Sequence, residues 1–235
     1  MLVTQSGLAE SRERAQALII AGKVRVAGET VRRPDRTVSE DASISVESGP
    51  DYASRGALKL APALQRFGVD AAGKTCADIG ASTGGFTDVL LRQGAARVYA
   101  LDVGRGLLHW RIRQDPRVVV IERVNAREMA PFPEPVQLVV VDVSFISLEK
   151  VLPAVLRAAP EAEVVALFKP QFEVGRSEVG KGGIVRDQAA VEAALARFRK
   201  WCAGNGYTVL DTAPSEVAGA EGNREIFAHL RPGRP

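Results

Sequence analysis

The chain has 235 residues, 46% of them hydrophobic and 25% charged, with a net charge of +3 and a pI of about 9.0, which suits one large domain with a small appendage. Its longest apolar stretches, such as 136–143, have the length of a strand, no signal peptide is recognisable, and the two cysteines, Cys76 and Cys202, lack disulfide or metal-ligand spacing. We therefore expect a cytoplasmic protein with no membrane span and no metal site.

The first predicted element is a short helix followed by a hairpin. Ser11 is a suitable N-cap for a helix whose apolar residues follow at i, i+3 and i+4, Gly22 ends it, and residues 24–28 begin a hairpin. Between positions 11 and 36 there are seven basic and three acidic residues. Such a surplus is most often a solvated surface, but it can also bind a polyanion.

These residues follow the pattern S-R-x-x-A-x-x-L-I-x-x-G-x-V-x-V-x-G, which resembles the S4 RNA-binding domain over residues 4 to 50. The resemblance implies an α+β RNA-binding domain over residues 1–48. That family usually has an earlier helix with an Arg-Leu-Asp motif, so we expect either a start further upstream or a trimmed domain. The basic side chains that the resemblance directs to RNA are Arg12, Arg14, Lys23, Arg25, Arg32 and Arg33.

Turn-forming residues at 49–56 predict a linker, after which a second domain over 57–235 begins. Apolar runs at 75–79, 97–101, 118–121, 137–142 and 163–168 alternate with helical patterns at 84–93, 107–114, 147–159 and 187–204. Two further runs, near 207–210 and 225–230, have no helix between them. The alternation predicts an α/β fold with a mostly parallel, seven-stranded sheet that ends in a hairpin, the Rossmann-like arrangement of class I methyltransferases.

The stretch D-I-G-A-S-T-G-G-F-T at 78–87 leads from a strand through a glycine turn into a helix, and Asp102 follows about 20 residues later, where α/β folds bind ribose hydroxyls. The spacing G-x-x-x-G-G differs from the fingerprints of NAD-binding and ATP-binding loops. A carboxylate ahead of the glycines also suits the positive sulfonium and ammonium groups of S-adenosylmethionine better than a diphosphate. An ordinary strand, turn and helix is the alternative for these residues alone.

Polar residues follow the ends of five apolar runs, namely Asp78, Asp102, Asn125, Asp142 and Lys169. Because ligands of such sheets bind beyond the carboxyl ends of the strands, these residues mark the predicted site. An ammonium group at the end of a central strand needs a carboxylate partner, and Asp142 is the candidate. The pair could be structural, or it could tune a lysine that acts on a hydroxyl group.

Five blocks of sequence together resemble the TlyA family of S4-containing ribosomal RNA 2′-O-methyltransferases, whose catalytic domain is of the FtsJ (RrmJ) type. They lie at 54–60, 78–87, 141–147, 169–175 and 222–225. The resemblance implies a Lys-Asp-Lys-Glu catalytic set at Lys59, Asp142, Lys169 and Glu225. It also implies S-adenosylmethionine as the cofactor and ribosomal RNA as the partner.

The cofactor contacts that follow from the glycine loop and the resemblance are Asp78, Gly80, Ser82, Thr83, Gly84, Gly85, Phe86, Asp102, Asn125 and Asp142. Three further basic residues are expected to contact RNA, namely Arg55, Arg176 and Lys181. The last two lie in a glycine-rich stretch, 175–187, which is either a mobile loop that clamps RNA or a plain surface loop.

The sequence thus predicts transfer of a methyl group from S-adenosylmethionine to a ribose 2′-hydroxyl, on cytidine in the large ribosomal subunit, the small one or both. Two alternatives stay open at this point. One is a non-catalytic RNA-binding or ribosome-assembly factor, and the other is a haemolysin-like cytolytic protein, against which the absence of a signal or span counts. The oligomeric state does not follow from the sequence.

Overall fold

A computed structural model of the chain describes residues 2–9, 11–20, 22–39, 41–46, 52–219 and 221–233, with the side chains of Arg14 and Ala17 excepted. The chain divides into two compact units, one within residues 1–51 and the other within 52–235. Residues 52–56, which the sequence suggests as part of a linker, belong to the larger unit.

The smaller unit contains two helices and a three-stranded antiparallel sheet of order β2-β1-β3. Its elements are α1 (Leu2–Gln5), α2 (Arg12–Ile20), β1 (Val24–Val26), β2 (Glu29–Val31) and β3 (Ile44–Val46). The predicted helix after Ser11 and the hairpin are confirmed. Ala27 and Gly28 both have positive φ angles, 48° and 84°, as the tight type I′ hairpin turn requires. The short α1 and β3 were not expected from the sequence.

The larger unit is built on a seven-stranded sheet of order β6-β5-β4-β7-β8-β10-β9. Its strands are β4 (Thr75–Ile79), β5 (Arg97–Asp102), β6 (Val118–Glu122), β7 (Leu138–Val141), β8 (Glu163–Phe168), β9 (Tyr207–Pro214) and β10 (Ile226–Pro232). Its helices are α3 (Ala57–Phe67), α4 (Gly85–Arg92), α5 (Trp110–Arg113), α6 (Leu148–Ala158), α7 (Pro170–Glu173) and α8 (Gln188–Gly204). The predicted α/β fold, with five parallel strands and a closing hairpin, is confirmed.

The sheet is covered on both faces, which explains why its central strands are apolar throughout. Alternate residues of a strand point to opposite faces, so Val139 and Val141 of β7 pack with α6 and α8, whereas Leu138 and Val140 pack with α3 and α4. None of the helices in the described ranges combines the length and the apolar character that crossing a bilayer requires.

The helix expected over 107–114 is shorter than predicted and begins only at Trp110. Gly106, at a φ of 69°, lies in the turns that precede it, and the side chain of Asp102 accepts a hydrogen bond from the backbone N–H of Gly104 at 2.7 Å. His109 caps the shortened helix through Nδ1, which accepts from the backbone N–H of Arg111 at 3.3 Å. These turns keep the residues after β5 available to line a cavity.

Candidate functional site

Two cavities lie beyond the carboxyl ends of the parallel strands and share Gly80, Ser82 and Asp142. The smaller, about 220 Å³, is also lined by Ser54, Arg55, Gly56, Lys59, Ala81, Thr83, Gly85, Phe86 and Ala218. The larger, about 640 Å³, extends over residues that follow β5, β6 and β7. Their position is the one that open α/β sheets use for ligands.

The glycine loop, residues 78–87, borders both cavities, and its backbone lies close to neighbouring segments. Gly80 has a φ of 88°, and a Cβ atom at this position would clash with the carbonyl oxygen of Asp142. A Cβ atom on Gly85, where α4 begins, would clash with the hydroxyl of Ser54. Ser82 has a left-handed φ of 48°, unusual for a residue with a side chain. Only glycine fits the two close approaches.

Asp102 and Asn125 line the larger cavity, as the sequence led us to expect. The carboxylate of Asp102 accepts hydrogen bonds from the backbone N–H of Ser82 at 2.8 Å and of Gly104 at 2.7 Å, so its orientation is fixed. Asn125 accepts from the backbone N–H of Arg127 at 3.1 Å. Each carboxylate oxygen of Asp102 keeps a lone pair for a further donor, such as a hydroxyl group.

The sequence predicts that Asp78 contacts the cofactor. Its side chain is fully buried and lines neither cavity. Its Oδ2 instead accepts a hydrogen bond from the hydroxyl of Thr87 at 2.7 Å, in the first turn of α4. Burial raises the pKa of Asp78 to about 7, and the nearby charge of Asp142 adds to the shift. Asp78 therefore stabilises the glycine loop from its buried side, through Thr87. Gly84 is likewise buried, and a Cβ atom there would contact Leu108.

The predicted ion pair between Lys169 and Asp142 is confirmed, with Nζ at 2.6 Å from Oδ1. The two residues come directly after β8 and β7, which are neighbours in the parallel sheet. Lys169 also donates to the hydroxyl of Ser144 at 2.9 Å. Because the lysine side chain is only 10% exposed, these two partners offset most of its desolvation.

A second ion pair connects Lys59, on α3, with Glu225, whose atoms Nζ and Oε2 are 2.6 Å apart. The side chains are 13% and 3% exposed. Glu225 immediately precedes β10, whose Ile226 pairs with Phe168 of β8, so that Glu225 lies beside Lys169 along the sheet edge. The four residues of the predicted catalytic set thus meet at one edge as two partly buried pairs.

Comparison with known proteins identifies both units. The family model of the FtsJ-like methyltransferases matches residues 52–231, and that of the S4 domain matches residues 1–44. The 16S/23S rRNA (cytidine-2′-O)-methyltransferase TlyA of Mycobacterium tuberculosis is 47% identical over 235 residues, which cover 97% of this chain and 87% of the relative. The chain belongs to the TlyA family.

Other members of the TlyA family carry a different description. Hemolysin A of Brachyspira hyodysenteriae is 42% identical over 97% of both chains. A solved structure of a proposed hemolysin from Streptococcus thermophilus has a TM-score of 0.79 and 40% identity, and it covers 99% of this chain and 86% of its own. The fold of the larger unit is that of the S-adenosylmethionine-dependent methyltransferases.

Sequence reasoning did not single out Ser144, although this residue lies within the V-D-V-S-F-I-S block that carries the TlyA resemblance. Its hydroxyl is a partner of Lys169, and the residue lines the larger cavity. The feature that could have identified Ser144 from the sequence is its hydroxyl group, two positions after Asp142. The sequence analysis also did not single out Ser54 and Ala218, which both line the smaller cavity. Ala218 reaches this cavity from a segment more distant in the sequence.

The basic residues expected to contact RNA lie in two places. In the smaller unit Arg12, Arg25, Arg32 and Arg33 are exposed and Lys23 is half-buried, whereas the side chain of Arg14 lies outside the described residues. Arg33 pairs with Asp35 at 2.8 Å. In the larger unit Arg55 lines the smaller cavity, and Arg176 and Lys181 are exposed.

The loop that carries Arg176 and Lys181 is held by the buried side chain of Asn223. This amide donates to the carbonyl of Gly183 at 2.8 Å and accepts from the backbone N–H of Val185 at 2.9 Å. Within the described ranges, no group of three or more histidine, cysteine or acidic side chains is arranged to hold a metal ion.

Proposed function

We propose that the chain transfers a methyl group from S-adenosylmethionine to a ribose 2′-hydroxyl of ribosomal RNA, with cytidine as the nucleotide. The observation that carries the proposal is the meeting of two partly buried ion pairs, Lys169 with Asp142 and Lys59 with Glu225, beside the cleft of a TlyA-family methyltransferase. The Mycobacterium tuberculosis relative, which matches 97% of the chain, is named for this reaction on 16S and 23S rRNA.

The residues of the larger cavity suit S-adenosylmethionine chemically. Asp102 retains acceptor capacity for the two ribose hydroxyls, and the exposed apolar side chains of Val103 and Leu107 suit a flat adenine ring. Asp142, shared by both cavities, provides negative charge for a sulfonium or ammonium group. Gly80, Ser82, Thr83, Gly85, Phe86 and Asn125 complete the proposed binding set. When bound, S-adenosylmethionine supplies the methyl group as an electrophile.

In the proposed mechanism Lys169 contacts the 2′-hydroxyl and orients its oxygen toward the methyl carbon. The hydroxyl must lose its proton as the new O–C bond forms, and the proposed acceptor is the Lys169 amine in its unprotonated form, with Asp142 as the group that takes the proton the amine gives up first. Asp142 and Ser144 hold the amine in place. Glu225 fixes Lys59, whose positive charge suits a phosphate of the substrate. Water is excluded from Lys169 by its burial.

We propose that residues 1–48 bind the RNA and that the catalytic domain is the larger unit, which includes residues 52–56 of the predicted linker, 49–56, as well as 57–235. The exposed Arg12, Arg25 and Arg32 support this role, since phosphate contacts provide most of the affinity for structured nucleic acid. Arg55, Arg176 and Lys181 are the proposed contacts of the larger unit. Lys23, Arg14 and Arg33 complete the set that the S4 pattern indicates.

The decisive experiment measures transfer of labelled methyl from S-adenosylmethionine to separated 30S and 50S subunits that lack the modification. We expect the wild type to label ribose, and Lys169→Ala to lower kcat at least about 100-fold while its cofactor Kd stays close to that of the wild type. Lys200→Ala, an exposed lysine on α8, is the matched control and should retain activity.

The outcome on the two subunits also identifies the target. Label on the 50S subunit only, on the 30S subunit only or on both would assign the substrate, and nucleotide mapping would test whether it is cytidine. No label on either subunit from a protein that binds the cofactor would refute the proposed function.

A further inference from the structure

The carboxylate of Glu173 closes the amino-terminal end of α6. Its Oε1 accepts a hydrogen bond from the backbone N–H of Leu148 at 2.8 Å, and its Oε2 accepts one from the hydroxyl of Ser147 at 2.7 Å. Ser147 is itself the N-cap residue, since its hydroxyl accepts from the backbone N–H of Glu149 at 3.2 Å. A carboxylate at this end of a helix also interacts favourably with the helix dipole.

Both sides of this bridge continue directly into proposed catalytic groups. Glu173 is the last residue of α7, which begins immediately after Lys169. Ser147 ends the segment that starts at Asp142 and contains Ser144. Glu173 therefore joins the two segments whose separation determines the distances of 2.6 and 2.9 Å from Lys169 to its partners.

Glu173 contributes to neither cavity, so a direct contact with cofactor or substrate is not its role. Burial raises the pKa of its carboxyl group to about 7. The protonated group can keep both hydrogen bonds, because it can accept from Leu148 and donate to the oxygen of Ser147. The bridge therefore persists in either protonation state near neutral pH.

We propose that Glu173 is a positioning residue, which sets the spacing between the Asp142 and Lys169 segments and thereby the orientation of the Lys169 amine. The inference rests on the proposed function, in which Lys169 acts on the substrate hydroxyl. Spacing matters at this scale because a displacement of about 1 Å in a reacting group costs on the order of 100-fold in rate.

The test compares Glu173→Ala with Glu173→Gln in the full chain. Alanine removes both acceptors, whereas glutamine keeps an acceptor for Leu148 and offers an amide N–H to the oxygen of Ser147. Tyr207→Phe is the matched control, because it removes a buried hydrogen bond of 3.0 Å from the tyrosine hydroxyl to the carbonyl of Leu152, in the same helix but away from its amino terminus.

Two quantities are measured for each variant. One is kcat and KM for methyl transfer to the subunit that the wild type labels. The other is the ¹³Cε NMR signal of Lys169, assigned by its loss in Lys169→Arg, which reports the surroundings of the amine without any need for turnover.

We expect Glu173→Ala to lower kcat about 10- to 100-fold with an unchanged cofactor Kd, and to shift the Lys169 signal. Glu173→Gln and Tyr207→Phe should keep the kcat and the Lys169 signal close to those of the wild type. If Glu173→Ala loses thermal stability as Tyr207→Phe does, yet keeps its kcat and its Lys169 signal, Glu173 is only a helix cap and the inference is wrong. A wild type without transfer refutes the proposed function, and the NMR signal still reports whether Glu173 positions Lys169.

Discussion

Replacement of the buried carboxyl group of Asp78 by an amide should change how the stability of the larger unit depends on pH. The pKa of Asp78 is about 7 in the folded chain, against an ordinary value of 3.8, chiefly because the group is fully buried. Between these two values the folded state binds more protons than the unfolded state. The free energy of unfolding therefore falls as the pH rises from about 4 to about 7, and the contribution of Asp78 is lost above that range.

The size of this effect follows from the pKa difference. The rise of the pKa from 3.8 to about 7 lowers the free energy of unfolding by about 4 kcal/mol in all between acidic and neutral pH. Asp78→Asn has no such titration. Its amide oxygen can accept the hydrogen bond from Thr87, while its NH₂ group takes the place of Oδ1, which lacks a hydrogen-bond partner among the described residues. The unpaired NH₂ adds a cost of about 1–3 kcal/mol that is independent of pH.

The assay is urea unfolding of wild type and Asp78→Asn from pH 4.5 to 8, followed by circular dichroism without cofactor. The difference between the two proteins isolates Asp78, since all other titrating groups, including Glu173, are shared. We expect the variant to gain stability relative to the wild type as the pH rises, by about 3 kcal/mol between pH 4.5 and 8. A difference that stays constant over the whole range would show that Asp78 is ionised in both states and refute the reasoning.

Two further substitutions test the cavities. Gly80→Ala should lower the melting temperature and reduce methyl transfer, because its Cβ atom would clash with the carbonyl of Asp142. The control is Gly73→Ala, which has a similar φ of 69° but open space around it and should lose only a little stability. Equal losses in the two variants would show that backbone strain alone is responsible. Asp102→Asn replaces an acceptor of two backbone N–H groups by a group that presents one donor, and we expect the Kd for S-adenosylmethionine, measured by calorimetry, to rise about 10-fold. An unchanged Kd would exclude Asp102 from the cofactor site.

The sheet and one of the two ion pairs could be predicted from the residues themselves. Apolar runs of five or six residues separated by helical patterns specify a parallel sheet, and a lysine at the end of a buried strand needs a carboxylate on the neighbouring strand. Lys169 and Asp142 satisfy that requirement at 2.6 Å. This part of the site follows from burial and charge alone.

Other parts of the site follow from long-range packing that no local pattern contains. Lys59 and Glu225 are 166 positions apart, and only the family resemblance connected them in the sequence. The spacing of the glycine loop gave no sign that Asp78 turns inward toward Thr87 rather than outward toward a ligand. β3 has only three residues, too few for a periodic pattern, and it forms because β1 offers it an edge.

The position of β10 determines when the site can assemble. Among the described strands this one comes last in sequence but is inserted between β8 and β9, and it brings Glu225 to Lys59. During synthesis the amino-terminal unit and the glycine loop leave the ribosome long before Glu225 does. A nascent chain that still lacks β10 therefore has a gap in its sheet and an unpaired Lys59, so the complete ion-pair set forms only after Glu225 and β10 have been synthesised.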